Sequence, residues 1–316
     1  MSTSRVMVIV DGAGRDDYSA WQTLKNATAV YYETHTPEGM AADSLCCIMT
    51  LLGYSREFIP FGRAYLEAVS AGIPVGKTDA VFRMNGVDIK DGRLVSSGIH
   101  RDVDSLRLPE GMTAFSLSAY RSLLVVSNAS ELADRIVTYP PHANIGRDVS
   151  EMKIRCPDSA LENELNALYA EGFWPWGQSG YMSLPPYSSI HGRNGCVITA
   201  TEVVRGIAVS GGMACPQLAD VTADVDTSLS AKTSAVLEAA GKYDNIYVHI
   251  NGADEASHRG DPDEKAAFMD RIENEVIEPL LSELPRGTGF TVTSDHYTDP
   301  KTKGHDSVEV PVIEYH

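Results

Sequence analysis

The sequence lacks any apolar run long enough to cross a bilayer, and it does not open with a charged segment followed by a long apolar one. It also lacks low-complexity segments and internal repeats over its 316 residues. These absences predict a globular chain that buries a large core, has no membrane partner and is located in the cytoplasm.

Positive charge is scarce in this chain. Lysine and arginine together number 26 against 43 aspartates and glutamates, which gives a formal net charge of −17. This excess argues against nucleic acid or an anionic membrane as a partner. A small anionic substrate stays open, because metal ions and a few arginines can reverse the electric field within one cleft. The sequence indicates no oligomeric state.

Thiolate chemistry is not indicated either. The five cysteines include no CxxC pair, so the sequence does not predict zinc held by thiolates. Cys46 and Cys47 are direct neighbours, which cannot easily form a normal disulfide bond. We interpret both as small buried apolar residues rather than as nucleophiles.

Three apolar runs each lead into a loop that reaches an aspartate. They cover residues 5–10, 245–250 and 289–293, and the aspartates are Asp11, Asp254 and Asp295. Continuous apolar runs of this length are typical of buried strands in a parallel sheet. Asp261 followed by a proline predicts the start of a helix between the second and third runs. The alternation of strands and helices predicts an α/β fold, in which ligands bind at the carboxyl ends of the strands.

The middle of the chain has a different pattern. Residues 75–190 contain short strand-like runs and a proline-rich turn at 139–141. We interpret them as a smaller inserted α+β cap domain. The core would then consist of residues 1–74 and 191–316.

Several of the aspartates and histidines suit a metal site. Asp254 and His258 are four residues apart, so one helical turn can direct both at one ion. Asp295 and His296 follow the last predicted parallel strand, and a short polar loop, 297–304, separates them from His305. Mixed imidazole and carboxylate ligands favour Mn(II), Zn(II) or Fe(II) over Mg(II) or Ca(II). The alternative interpretation is that these are solvated loop residues.

Further short motifs carry a resemblance to a known family. They are VDG at 10–12, LLGY at 51–54, FGRAYLEAVSAGI at 61–73, VFRMN at 81–85, YR at 120–121, PPH at 140–142, WGQ at 176–178, RGI at 205–207, DEASH at 254–258, SDH at 294–296 and GH at 304–305. In this order and spacing the chain resembles the archaeal-type, 2,3-bisphosphoglycerate-independent phosphoglycerate mutases of the alkaline-phosphatase superfamily.

The resemblance implies a parallel-sheet core with helices on both faces, an inserted cap and two divalent ions, with Mn or Zn favoured. One ion would be held by Asp254, His258 and His305. The other would be held by Asp11, Ser44, Asp295 and His296. Ser44, placed by its distance from LLGY, would take up the phosphoryl group and return it to a different hydroxyl of the bound glycerate.

The match is incomplete in several places. Leu45 and Ile48 stand where the family has an acidic residue and a histidine after the nucleophile. Arg205 stands where the family has a lysine, so we expect a charged catalytic residue that is less suited to carrying a proton. The chain is also shorter than the proteins of this family, because a segment that they have before the position of residue 176 is missing here.

Substrate contacts are expected from arginines, which bind phosphate and carboxylate groups in a bidentate manner. The candidates for substrate binding are Arg63, Arg83, Asn85, His100 and Arg121. The alternative for each arginine is an ordinary surface position.

Three functions follow from these patterns. The first is a phosphomutase that interconverts 3-phosphoglycerate and 2-phosphoglycerate, or a similar phosphorylated hydroxy acid. The second is a phosphatase or phosphotransferase acting on a different small phosphorylated or phosphonate-bearing acid, which the trimmed cap favours. The third is a metal-bound protein without catalytic activity.

Overall fold

The computed structural model describes residues 4–118 and 120–315. The chain divides into two compact units. The first unit runs to Ile59 and resumes at Leu184, and the second unit covers Pro60–Ser183.

The strands and helices are as follows. The strands are β1 (Arg5–Val10), β2 (Ala27–Glu33), β3 (Ala80–Gly86), β4 (Asp88–Lys90), β5 (Arg93–Ser96), β6 (Met112–Ser118), β7 (Arg121–Val126), β8 (Phe173–Gly180), β9 (Gly195–Ile198), β10 (Asn245–Ile250), β11 (Gly289–Thr293), β12 (Tyr297–Asp299), β13 (Gly304–Asp306) and β14 (Val310–Tyr315). The α-helices are α1 (Ser44–Leu51), α2 (Ala64–Ser70), α3 (Ser159–Ala167), α4 (Tyr187–His191), α5 (Glu202–Ser210), α6 (Leu229–Ala239), α7 (Gly252–Arg259), α8 (Pro262–Ile272) and α9 (Glu278–Glu283). A π-helical turn, Glu273–Ile277, joins α8 to α9. Short 3-10 helices cover Arg15–Tyr18, Gln22–Asn26, Arg56–Phe58, Val103–Ser105, Ser130–Arg135, Pro141–Asn144 and Val149–Met152.

A six-stranded sheet forms the centre of the first unit, in the order β2-β14-β11-β1-β10-β9. The strands β11, β1, β10 and β9 run parallel, whereas β14 and β2 add antiparallel pairs at one edge. In the shared register, Val8 of β1 lies between Val248 of β10 and Val292 of β11. The predicted α/β fold with a parallel sheet is therefore confirmed.

Helices α6 and α8 bury their apolar sides against this sheet. Val236 of α6 and Phe268 of α8 belong to the same buried cluster as Val8 and Val248. Helix α8 begins at Pro262, as predicted, and the side chain of Asp261 caps it by accepting a hydrogen bond from the backbone N–H of Glu264 (2.9 Å). This capped helix follows α7, which carries two of the predicted ligands.

A four-stranded antiparallel sheet, in the order β6-β7-β3-β8, organises the second unit. Alternate side chains of the sheet enter a separate core, which includes Phe82, Leu124 and Trp174, together with Leu165 from α3. Strands β4 and β5, which follow β3 along the chain, form a separate two-stranded antiparallel hairpin.

The limits of the second unit differ from the predicted cap, 75–190. The unit starts earlier because α2 packs on β3 and β8, where the backbone N–H of Tyr65 donates to Ser179 Oγ (2.7 Å). It ends earlier because Tyr187 belongs to the first unit, with its hydroxyl 2.9 Å from that of Tyr247. The roles of the two units as core and cap stay predictions.

The segment that leads to His305 also differs from the prediction. Residues 297–304 were expected to form a polar loop, but the structure has the hairpin of β12 and β13 there. Strands of three residues are too short to show a clear alternation of apolar and polar residues in the sequence, and this explains the error. Within residues 4–118 and 120–315, no helix has the length and apolar character needed to span a bilayer.

Candidate metal centre

The predicted ligands gather at the carboxyl ends of three neighbouring parallel strands. Asp11 follows β1, and Asp295 and His296 follow β11. Helix α7, which follows β10, carries Asp254 and His258 one turn apart, with their side chains in contact. Because β11, β1 and β10 are adjacent and parallel, their carboxyl ends lie at one edge of the sheet.

Asp254, His258 and His305 form one group of potential ligands. One ligand atom of each lies within 4.8 Å of the others. The Nε2 atom of His258 is 3.3 Å from Asp254 Oδ2, and that of His305 is 3.6 Å from Asp254 Oδ1. The structure therefore brings together the three residues that the resemblance assigns to one ion.

Both histidines of this group hold their second ring nitrogen against a backbone carbonyl. His258 Nδ1–H donates to Lys303 O (2.9 Å), and His305 Nδ1–H donates to Ala42 O (3.1 Å). Histidines that bind metals usually donate their other ring N–H in this way, which leaves the Nε2 lone pair for the ion. The orientation of both rings therefore suits ligation through Nε2.

Asp11, Ser44, Asp295 and His296 form a second, more deeply buried group. Ser44 Oγ donates to Asp11 Oδ2 and lies beside His296 Nε2, both at 3.3 Å. His296 Nε2 is also 3.5 Å from Asp11 Oδ1 and 3.5 Å from Asp295 Oδ2. The four residues that the resemblance assigns to the other ion are thus neighbours as well.

Ser44 is the first residue of α1 and does not cap the helix. Asp43 is the cap, because its Oδ1 accepts a hydrogen bond from the backbone N–H of Leu45 (2.7 Å). The alternative role of Ser44 as an N-cap is therefore taken by its neighbour. Its hydroxyl is directed at Asp11 and His296 instead.

Burial and mutual repulsion shape the acid–base properties of the centre. Burial, followed by the neighbouring carboxylates of Asp295 and Asp254, raises the pKa of Asp11 well above its usual value. Burial alone would raise the pKa of Asp254 too, but hydrogen bonds from His258 and Thr298 bring it down to about 2. The same hydrogen bond to Asp254 raises the pKa of His258 to about 8.

Two carboxylate oxygens of the centre have no hydrogen-bond partner among the described residues. They are Asp11 Oδ1 and Asp295 Oδ2, and both are buried. Buried polar atoms without partners are costly, and native proteins normally satisfy them. Together with the three buried carboxylates, these atoms fit a site for divalent cations, which would neutralise the charge and bind the free lone pairs.

A fourth histidine at the centre was not predicted. His249 lies in β10 with its Nε2 atom 3.1 Å from Asp11 Oδ2, and it forms a further potential ligand group with Asp11 and Asp295. The signal in the sequence was a histidine inside an otherwise apolar parallel strand, YVHI. Burial lowers the pKa of His249 to about 4.

Two further buried side chains hold the loops of the centre. Lys265 Nζ donates to Gly12 O (3.0 Å) and Thr298 O (3.2 Å), so it joins the loops after β1 and β11. Thr298 Oγ1 donates to Asp254 and accepts from His296 Nδ1–H. Gly12 has a φ of +75°, and a Cβ atom there would lie 2.7 Å from the backbone of Asp254, so the turn requires glycine.

The predicted catalytic Arg205 does not contact these groups. It lies in α5, and its Nη1 is 3.7 Å from Cys215 Sγ and 3.5 Å from Pro216 O. Its catalytic role stays a prediction.

Three of the predicted substrate-binding residues lie together in the second unit. Glu67 pairs with Arg63 (3.2 Å) and Arg83 (3.0 Å), and the Arg83 guanidinium lies 4.2 Å from the centre of the Trp176 ring. Trp176 Nε1–H donates to Asn85 Oδ1 (2.9 Å). Burial lowers the pKa of Arg83, and the charges of Arg63 and Arg121 lower it further, although the Glu67 carboxylate opposes the shift.

Of the other two substrate-binding candidates, Arg121 pairs in register with Asn85 across β3 and β7, whereas His100 lies in a loop. Arg121 begins β7 and donates from Nη2 to Ser118 Oγ (2.9 Å). His100 is exposed, and within the described ranges its side chain makes no hydrogen bond.

Known proteins share both the sequence pattern and the fold. A family model described as the Metalloenzyme superfamily matches residues 63–316. A 2,3-bisphosphoglycerate-independent phosphoglycerate mutase of Methanothrix thermoacetophila is 28% identical over 307 residues, covering 87% of this chain and 77% of the relative. A relative of the same name, with the suffix 2, from Methanothermobacter thermautotrophicus is 28% identical over 308 residues, covering 88% and 76%.

Two solved structures have the same fold. A Pyrococcus horikoshii protein superposes with a TM-score of 0.73 at 19% identity, over 100% of this chain and 88% of that one. A cofactor-independent phosphoglycerate mutase from Thermoplasma acidophilum superposes with a TM-score of 0.62 at 20% identity, over 99% and 89%. The family match spans well over half of the sequence and confirms the predicted resemblance, so the chain belongs to the Metalloenzyme superfamily.

Proposed function

We propose that this protein is a metal-dependent phosphomutase that moves a phosphoryl group between two hydroxyls of a small phosphorylated hydroxy acid, with 3-phosphoglycerate and 2-phosphoglycerate as the first candidates. The observation that carries the proposal is the position of Ser44, whose hydroxyl lies 3.3 Å from both Asp11 and His296 at the start of a helix. The names of the relatives from Methanothrix and Methanothermobacter support the choice of substrate.

Two groups of residues would hold divalent ions, with Mn(II) or Zn(II) favoured by the mixture of imidazole and carboxylate. Asp254, His258 and His305 would hold one ion, and Asp11, Ser44, Asp295 and His296 the other. When bound, these ions supply Lewis acidity that activates the serine hydroxyl and neutralises charge on the transferred group.

Ser44 would act as the nucleophile. Its oxygen forms a bond to phosphorus while the bond from phosphorus to the substrate oxygen breaks, and that oxygen leaves with the proton that the Ser44 hydroxyl gives up. The neighbouring hydroxyl of the bound acid then attacks the phosphoserine and gives up its proton, which returns to the Ser44 oxygen as the bond from that oxygen to phosphorus breaks. Backbone N–H groups at the start of α1 offer positive partial charge to the phosphoryl oxygens at this position.

Arginines would bind the remaining anionic groups of the substrate. Arg63 and Arg83 keep their orientation through Glu67, and stacking on Trp176 further restrains Arg83. Asn85, His100 and Arg121 are proposed as additional substrate contacts, and Arg205 as a charged residue that stabilises the transferring group. The cytoplasmic location stays a prediction.

A product assay with the Ser44→Ala variant tests the mechanism. Wild-type protein with Mn(II) should convert 3-phosphoglycerate to 2-phosphoglycerate, and Ser44→Ala should lose at least about a thousandfold in turnover, as expected when a nucleophile is removed. Ser19→Ala, an exposed serine of the same unit, is the matched control and should retain full activity. Full turnover by Ser44→Ala would contradict the phosphoserine mechanism.

The alternative function is a phosphatase, or a phosphotransferase for a different phosphorylated or phosphonate-bearing acid. It is favoured by the trimmed segment before residue 176, and the chain spans 77% of the Methanothrix relative that it matches. Free phosphate from 3-phosphoglycerate would identify a phosphatase, and neither product would indicate another substrate. Fewer than one divalent ion per chain after incubation with Mn(II) or Zn(II) would favour a protein without catalytic activity.

A further inference from the structure

His249 occupies a position that the proposed ligand sets do not use. It is the fifth residue of β10, pairs in register with Ile9 of β1 and is 1% exposed. Its Nε2 atom lies 3.1 Å from Asp11 Oδ2, and ligand atoms of His249, Asp11 and Asp295 all lie within 4.8 Å of one another. A polar ring inside an apolar parallel strand therefore faces the most buried carboxylates of the unit.

The two ring nitrogens of His249 have different surroundings. Nδ1 lies 3.3 Å from Thr201 Oγ1 and 3.5 Å from Thr199 Oγ1, both of which can accept a hydrogen bond from an Nδ1–H group. Nε2 makes no hydrogen bond among the described residues, although Asp11 is close. The arrangement fits a ring with its proton on Nδ1 and a free lone pair on Nε2.

The three histidines already assigned to the ions share this orientation. His258 and His305 direct Nδ1 at backbone carbonyls, and His296 directs Nδ1 at Thr298 Oγ1. In each case Nε2 faces the carboxylates. His35 is also buried near this edge of the sheet, but its Nε2 lies against Thr293 Oγ1 (3.2 Å) instead. His249 therefore matches the proposed ligands in orientation, whereas another buried histidine does not.

We propose that His249 is an additional metal ligand, binding through Nε2 at the site of Asp11 and Asp295. The inference rests on the proposed metal sites. A second imidazole beside His296 makes this site richer in nitrogen than the family resemblance implies, and it favours Zn(II) and Mn(II) over Mg(II). The competing role is a buried hydrogen-bond donor that only orients the Asp11 carboxylate.

Counting imidazoles around bound zinc separates the two roles. The parent for the experiment is the His258→Ala, His305→Ala double variant, which keeps only the Asp11 site. Zinc X-ray absorption of this parent should show two imidazoles per ion. His249→Ala in the same background should show one imidazole and a Kd about 10–100-fold weaker. His35→Ala is the matched control and should keep two imidazoles and an unchanged Kd.

The outcomes distinguish this inference from the proposed function. One imidazole per zinc in the parent would contradict ligation by His249 while leaving the metal site in place. That count requires no substitution at His249, so poor folding of His249→Ala cannot obscure it. Wild-type protein that binds no zinc at all would contradict the proposed function and, with it, this inference.

Discussion

Three buried carboxylates lie close together at the metal centre of the first unit, and their negative charges repel one another. Asp11, Asp254 and Asp295 are each less than a tenth exposed. Burial and the other two carboxylates raise the pKa of Asp11. In the absence of metal, the Asp11 carboxyl group therefore holds its proton to a higher pH in the folded protein than in the unfolded chain.

This shift predicts how Asp11→Asn changes stability. A carboxyl group whose pKa is raised by folding favours the folded state only while it is protonated. Its contribution to the unfolding free energy is therefore fully present below its ordinary pKa and is lost as the pH rises through the raised value. Without metal, the unfolding free energy of Asp11→Asn should exceed that of wild type at pH 7, with a smaller difference at pH 5. Urea unfolding in the presence of a chelator measures both values.

Adding Mn(II) should reverse that order, because the variant loses a ligand. If Asp11→Asn were less stable than wild type even without metal, the raised pKa of Asp11 would be contradicted.

His258 predicts a pH dependence of metal binding. Its hydrogen bond to Asp254 raises its pKa to about 8, and the ion requires the neutral ring. Metal affinity at the group of Asp254, His258 and His305 should therefore rise about tenfold per pH unit between pH 6 and 7.5. Competition with a chromophoric chelator measures this slope. His258→Ala should bind more weakly and lose most of the slope, and an unchanged slope would exclude His258 as the titrating ligand.

Secondary-structure elements show which parts of the fold could be predicted. The three strands that end at aspartates were found because continuous apolar runs identify buried parallel strands. The antiparallel edge of β14 and β2 and the hairpin of β12 and β13 were missed. Pairing partners depend on contacts between distant segments, and a run of apolar residues does not specify them.

The candidate site, like the fold, could be predicted only in part. Asp254 and His258 stood out through helical spacing, whereas Ser44 and the division into two ligand sets came from the family resemblance. His249 was missed because only the register of β10 against β1 places it beside Asp11. The hydrogen bonds of Lys265 join backbone carbonyls, which leave no trace in the sequence.

Lys265 is expected to act as a positioning residue for the two loops after β1 and β11. In Lys265→Met, Gly12 O and Thr298 O lose their shared donor and Asp17 loses its ion pair (2.8 Å), so metal affinity should fall about 10–100-fold and stability by about 1–3 kcal/mol. Isothermal titration with Mn(II) and urea unfolding measure the two effects. Lys301→Met, at an exposed position in the turn between β12 and β13, should change neither. A loss of stability with unchanged metal affinity would show that Lys265 has only a structural role.

At the scale of the whole molecule, all proposed metal ligands belong to one of the two compact units. Mn(II) at about 100 times its Kd should stabilise the first unit by about 2.7 kcal/mol per site. Calorimetry should therefore show one transition that moves to higher temperature with Mn(II) and another, from residues 60–183, that does not. Equal shifts of both transitions would indicate that the two units unfold together.

The order of the first unit along the chain has a consequence during synthesis on the ribosome. Strand β1 pairs with β10 and β11, whose first residues lie 240 and 284 positions after Arg5. β1 therefore leaves the exit tunnel long before either partner strand has been synthesised. Residues 60–183, in contrast, contain all four strands of their own sheet. The nascent chain cannot complete its ligand sets until His305 has emerged, so the ions can be captured in full only after that residue has been translated.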